Sequence, residues 1–407
     1  MRDDIEYGRR DILRLLGTST ALGAIAPLAG CSSAAIFNDG GASQDASLLL
    51  TSERAQVGLG FHSTFLSHSL RGHPEDSLRV QAVLDRLVDD QQKHRLGALR
   101  LLPGREAELD ELLLAHDRGY IEKVRALVEK GSYMTLSKWS PYGGPGAFTA
   151  AASAAAAAVD AVRAVESGQI RSAFALVRPP GHHAGRERAA GYCFFNNIVV
   201  AVRSLRAHKD CRVAIFDFDV HHGDGIQEAF YTDPEVLYIS THQDGWPKTG
   251  DLNAVGAGAG RGFNINVPLP FGTGDSGFDD VFKSIVEPAL RRFKPHIIIG
   301  AAGFDTHWRD YQGGLSLSST GQALLVQRLK NIAGDICEGR LVLVLEGGYQ
   351  LEVLSTGVSN AIRILASEPG SQPWIRDIYG MGTEREPNVE ELIRKVVMLH
   401  GLKRPVK

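Results

Sequence analysis

Short apolar runs recur along the chain, separated by longer stretches of helical composition. The runs Ala173–Val177, Arg212–Phe216, Val236–Ile239, Phe263–Val267, His296–Ala301 and Leu341–Leu345 predict strands. They are near-continuous rather than alternating, as in strands buried on both faces. The intervening segment Ala147–Val165 opens with nine alanines in thirteen positions. Alanine is the best helix former and its small side chain lets a helix pack closely, so this segment predicts a buried helix. Strands alternating with helices predict an α/β fold, a mostly parallel sheet covered by helices on both faces. No repeat or linker divides residues 58–365, which read as one domain. A further helical pattern, Asn388–Leu402, falls in a C-terminal extension, residues 366–407, that carries no motif.

The N-terminus breaks this pattern. Arg9-Arg10 precede a mildly apolar stretch, Leu15 to Leu28, that is shorter than the roughly 20 residues a bilayer span needs. A charged start, a short apolar middle and small residues at the end predict an export signal over residues 1–31. The arginine pair points to the twin-arginine route, and hence to a periplasmic or envelope-anchored protein. Leu28-Ala29-Gly30-Cys31 resembles the lipobox of bacterial lipoproteins, which implies a lipid anchor to the membrane through Cys31. Cleavage without a lipid, and an ordinary amphipathic helix, are the alternatives. Residues 32–57, rich at first in Ser, Ala, Gly and Asp, read as a flexible tether.

Composition narrows little else. The chain is 407 residues long, 43% hydrophobic and 22% charged, with a formal net charge of -3. No run of Lys and Arg forms a nucleic-acid footprint, so nucleic acid is not an expected partner. The cysteines Cys31, Cys193, Cys211 and Cys337 lack Cys-x-x-Cys spacing and make no disulfide framework. Nothing in the sequence sets the oligomeric state.

Polar residues concentrate where four predicted strands end. Ala173–Val177 runs into RPPGHHA (178–184), and Arg212–Phe216 into DFDVHHGDG (217–225). His296–Ala301 runs into GFDTH (303–307), and Leu341–Leu345 into EGGY (346–349). Ligands of open α/β sheets bind outside the carboxyl ends of strands, so these clusters are expected to converge. Side chains two apart on a strand end share a face, which lets Asp219 and His221 grip one metal ion. Asp305 from a neighbouring strand supplies a third ligand, leaving a position open as in catalytic zinc sites. His182 and His183, on a rigid Pro-Pro-Gly turn, offer acid–base chemistry, with Asp217 and Asp224 placed to fix their tautomers. Tyr349, after two glycines, can swing a phenol toward the metal and hydrogen-bond an oxyanion.

These motifs, with GYCFFNN (191–197), GHPEDSLRV (72–80) and AHDRGYIEKV (115–124), resemble the histone deacetylase and acetylpolyamine amidohydrolase superfamily across residues 58–365. The glutamate of EGGY and the tryptophan of GFDTHWRD are more similar to its class II and bacterial members. The resemblance implies a three-layer arginase/deacetylase-like fold with an eight-stranded sheet. It implies zinc, or ferrous iron, on Asp219, His221 and Asp305. His183 paired with Asp224 becomes the general base and acid, His182 paired with Asp217 its electrostatic partner, and Tyr349 the carbonyl-polarising group. Gly191 and Tyr192 line the substrate tunnel. Structural potassium is implied at Asp217, Ser240 and Thr241, and a second monovalent site at the carbonyls of Phe230, Asp233, Val236 and Phe263. The implied reaction is hydrolysis of an N-acetyl or other acyl amide to a carboxylate and a free amine.

Three departures shape the substrate expectation. Tyr192 stands where protein deacetylases usually carry phenylalanine. Gln312 falls where some polyamine-selective relatives carry an acidic gatekeeper. The loop from Tyr133 to Gly146 has no Asp or Glu to bind a peptide backbone. With an export signal, these favour a small acylated amine over a histone-like protein. The alternatives are a two-metal ureohydrolase, a non-catalytic lipoprotein that binds acyl ligands, and a structural lipoprotein.

Overall fold

A computed structural model of the chain describes residues 48–403 apart from 130–133, 136–140, 246, 369, 372 and 383–384. The expected export signal, Cys31 and the tether up to residue 47 lie outside the described residues. Within them the strands are β1 (Val57–Gly60), β2 (Arg100–Leu101), β3 (Met134–Thr135), β4 (Tyr142–Gly143), β5 (Ser172–Ala175), β6 (Val213–Asp217), β7 (Val236–Gln243), β8 (Asn264–Leu269), β9 (Ile297–Ala302) and β10 (Leu341–Leu345). β3 and β4 form a small antiparallel pair. The other eight form one sheet in the order β2-β1-β5-β10-β9-β6-β7-β8, with every pairing parallel.

The six predicted strands are all present, shifted by a residue or two at their ends, with β7 extended to Gln243. β1 and β2 went unpredicted: β2 has two residues, too few to show a pattern, and β1 abuts the segment read as tether. The packed domain starts ahead of the expected tether boundary at residue 57. Leu49 is buried and Thr51 bridges Leu99, so the packed domain begins before residue 50.

The helix Ala147–Glu166 is buried along most of its length. Its alanines pack against β1, β5, β10 and the helix Asn197–Arg206. The helix Leu351–Ala366 packs on Leu78–Gln92 and Ser319–Cys337. The C-terminal helix, Glu390–His400, lies against β8.

Chain order explains where the site forms. The sheet grows from β6 outward to β7 and β8, and the chain then returns to insert β9 and β10 between β5 and β6. The four motif-bearing strands, β5, β10, β9 and β6, are therefore consecutive neighbours pointing the same way. This is the switch point at which an α/β sheet opens a crevice.

Candidate active site

Asp219, His221 and Asp305 meet just beyond β6 and β9, with one donor atom from each lying within 4.8 Å of the others. His221 Nδ1 is 3.2 Å from Asp219 Oδ1 and 3.5 Å from Asp305 Oδ2. Backbone amides hold the carboxylates: Gly347 N–H donates to Asp219 Oδ2 (2.8 Å), His221 N–H to Asp219 Oδ1 (2.9 Å) and Val220 N–H to Asp305 Oδ1 (3.0 Å). Asp305 Oδ2 is buried and accepts no hydrogen bond among the described residues. Burial raises the Asp305 pKa to about 6, with the Asp219 carboxylate adding to the effect. Two buried carboxylates converging with an unsatisfied oxygen form a site that a divalent cation relieves, and the O, O, N donor set suits zinc or ferrous iron. Only His221 of the three reaches solvent, leaving one side open.

Glycines make the convergence possible. A Cβ on Gly303 would lie 2.2 Å from Asp219 Oδ2, and one on Gly347 would lie 2.0 Å from Asp305 Oδ2. Gly181 likewise passes where a Cβ would meet the Asn197 amide nitrogen at 2.5 Å.

The histidine pair sits on the turn after β5. His182 Nδ1 is 3.2 Å from Asp217 Oδ2 and His183 Nδ1 is 2.8 Å from Asp224 Oδ1, the two pairings expected from the sequence. Their charge states diverge. Burial lowers the His182 pKa, but the Asp219 and Asp217 carboxylates outweigh it and hold the imidazole well above its ordinary value. Burial, reinforced by neighbouring His182, brings His183 down to about 4. The two adjacent imidazoles are thus pushed in opposite directions by their surroundings. The Asp224 carboxylate, also bound by Arg188, stays below the usual range despite burial.

Tyr349 follows β10 and is almost buried. Burial raises its phenol well above the usual pKa, keeping it a hydrogen-bond donor. Tyr192 packs edge-on against it at 5.7 Å, and His73 against Tyr192 at 4.9 Å. Gly191, at φ +50°, passes so close to His183 that a Cβ would lie 1.9 Å from its Cδ2. Beside His221 opens a cleft of about 180 Å³ lined by Val220, Gln243, Phe271, Tyr311, Gln312 and Gly314.

The residues expected to hold monovalent ions lie on β6, β7 and the segments beside them. Asp217 pairs with Ser240 across β6 and β7, and Thr241 Oγ1 donates to the Asp217 carbonyl. The Phe230 carbonyl accepts from the Asp233 amide, and Phe263 from Tyr238, one strand-width from Val236. His307, standing where the two-metal alternative would want a second aspartate, is buried: its Nδ1 accepts from the Arg309 amide and its Nε2 faces Ser319.

Several supporting residues went unassigned by the sequence reading. Arg178 is enclosed by Glu75, the Phe65 and His68 carbonyls and the Tyr142 hydroxyl. Arg79 donates to the Glu346 and Gly348 carbonyls and lies 4.7 Å over the Tyr349 ring. Glu346 Oε2 accepts from the Gly181 and His182 amides, fixing the histidine turn. The spacing of Glu75 and Arg79, one helical turn apart, was their only local signal.

Comparison with known proteins agrees with this geometry. A family model described as a histone deacetylase domain matches residues 73–365. The chain is 37% identical over 354 residues to Histone deacetylase 10, chloroplastic, of Oryza sativa subsp. japonica, covering 84% of this chain and 80% of that protein. It is 39% identical over 300 residues to a probable deacetylase of Archaeoglobus fulgidus, covering 73% and 82%. The crystal structure of an HDA15 HD domain superposes with a TM-score of 0.76 at 31% identity, covering 85% of this chain and 94% of that one. The chain therefore belongs to the histone deacetylase family and is an amidohydrolase acting on acetylated amides.

Proposed function

We propose that the protein is a zinc-dependent deacylase of small acylated amines, exported and held at the cell envelope. The observation that carries the chemistry is the joining of the His183 imidazole, the Tyr349 phenol and a three-donor metal cradle in one pocket. Asp219, His221 and Asp305 would hold the ion, zinc in the first instance and ferrous iron as its alternative. Bound there, it would supply a Lewis acid that polarises the amide carbonyl and acidifies a water.

The chain's own groups do the rest. Asp224 accepts from His183 Nδ1, leaving Nε2 free as a base. His183 takes the proton of the attacking water and returns it to the leaving nitrogen. Protonated His182 keeps His183 neutral at rest and lends positive charge to the developing oxyanion. Tyr349 donates its O–H to that same oxygen. The products are a carboxylate and a free amine. Potassium at Asp217, Ser240 and Thr241 belongs to this proposal as a structural ion, as does the site around Phe230, Asp233, Val236 and Phe263.

The substrate class rests on Tyr192, on Gln312 in the cleft and on the acid-free stretch 133–146. The location rests on Arg9-Arg10 and Cys31. Acetate release from acetyl-lysine peptides, acetylpolyamines and simple acylated amines, measured on metal-stripped and zinc-reloaded protein, tests the whole reading. Tyr349→Phe should lower kcat by about 10²- to 10³-fold, as does loss of one oxyanion donor. Turnover that ignores both zinc and Tyr349 would overturn it.

A further inference from the structure

The loop that leaves metal ligand Asp305 ends in a carboxylate that the mechanism above does not use. Asp310 is 4% exposed, and its carboxylate is held by backbone N–H groups. Its Oδ2 accepts the backbone N–H groups of Tyr349 (2.6 Å) and Gln350 (2.9 Å). Its Oδ1 accepts the N–H of Gln312 (3.0 Å). One buried side chain therefore ties together two segments: the loop after β9, which also carries Gln312 of the cleft, and the loop after β10 that carries the phenol.

The need for such a tie is visible in the chain around Tyr349. Gly347 and Gly348 precede it, and Gly348 adopts φ +119°, so the backbone there has the freedom that only glycine has. Gln350 caps the helix Leu351–Ala366, accepting from Val353 with its side chain. The amides of Tyr349 and Gln350 lie just ahead of that helix and would otherwise need water. A catalytic hydrogen bond from a phenol tolerates an error of roughly 0.5 Å. Arg79 fixes the Glu346 and Gly348 carbonyls on one side of the loop, and Asp310 fixes the amides of Tyr349 and Gln350 on the other.

We infer that Asp310 is a positioning residue for the oxyanion donor, holding the peptide of Tyr349 so that its hydroxyl meets the reacting carbonyl. This rests on the catalytic role given above to Tyr349. The carboxylate touches no substrate atom and acts only through that phenol.

The test is a double-mutant cycle between Asp310→Ala and Tyr349→Phe on the full, zinc-loaded chain. Asp310→Ala should lower kcat about 10- to 100-fold while KM moves less than about threefold and one metal per chain is retained. Asp310→Asn can still present one oxygen to the Tyr349 and Gln350 amides and should recover most of the loss. In the Tyr349→Phe background, Asp310→Ala should change kcat by less than about twofold, because its effect passes through the missing hydroxyl. If Asp310→Ala does not fold, Asp310→Ser, which leaves room for water at the amides, takes its place in the cycle. Equal losses in both backgrounds, or an unchanged kcat in the single variant, would overturn the inference. Full activity in Tyr349→Phe alone would instead remove the catalytic role of the phenol, and with it anything for Asp310 to position.

Discussion

Gly347→Ala puts the metal cradle to a steric test. Gly347 passes behind both carboxylates of the proposed metal cradle, donating its N–H to Asp219 Oδ2 at 2.8 Å. An added Cβ would lie 2.0 Å from Asp305 Oδ2 and 2.6 Å from Asp219 Oδ2, where ordinary contact begins at 3.4 Å. The Asp305 oxygen must then retreat by about 1.4 Å, whereas coordination distances tolerate about 0.2 Å. Gly347 is not among the positive-φ glycines, so alanine brings no backbone strain of its own and the effect is local. Losing this ligand should weaken metal binding at least as much as losing an outer-shell partner does, about 100-fold or roughly 2.7 kcal/mol. Competition with a chromophoric chelator measures the zinc Kd, and unfolding with and without zinc shows whether the metal-linked rise in Tm disappears. The reasoning fails if Gly347→Ala binds one zinc per chain with unchanged affinity.

Other consequences are equally direct. Asp224→Asn removes the anion that orients His183 and supports its basicity, so kcat should fall about 10²-fold or more with KM little changed in steady-state assays. Only neutral His183 accepts a proton, and its depressed pKa of about 4 keeps it neutral over most of the acid range; kcat/KM should hold from neutrality to about pH 5 and fall below it, whereas an acid limb centred near 6.5 would contradict the assigned base. Gln312→Glu puts a carboxylate into a cleft otherwise free of acids among its described lining residues, and should raise kcat/KM for acetylpolyamines over neutral acetylamides about 5- to 10-fold, less at high salt. Arg178→Met leaves the buried Glu75 carboxylate only its 3.3 Å pair with Arg79 and should cost about 3 kcal/mol of stability, read as a lowered midpoint in urea.

Local pattern and long-range contact divide the rest. Six strands, the alanine helix and the C-terminal helix were legible because each is a continuous segment whose own composition reports its burial. The metal and histidine motifs were legible for a related reason: Asp219 and His221 are two residues apart, and His182 and His183 adjacent, so their chemistry is written within one strand end. That Asp305 would join Asp219 followed from the rule that sites form at carboxyl ends of strands. β2 escaped because two residues carry no period, β1 because it abuts the segment read as tether, and the domain start because Leu49 and Thr51 resemble a tether until Leu99 lies beside them.

The chain by itself thus carried the metal grip and the acid–base pair, through residue types spaced along one strand end, and the reaction class through motifs that resemble the deacetylase family. Only the tertiary structure decided the order β5-β10-β9-β6 that makes four loops one pocket. It alone decided that the pKa values of two adjacent histidines shift in opposite directions, since burial and the nearness of Asp219 set them rather than identity. It alone revealed the supports: Glu75 lies 103 residues from Arg178, Arg79 lies 269 from Gly348, and Asp310 lies 39 from Tyr349. No local pattern records such pairs, because a buried hydrogen bond depends on where the fold brings two groups together and not on how far apart they stand in the chain.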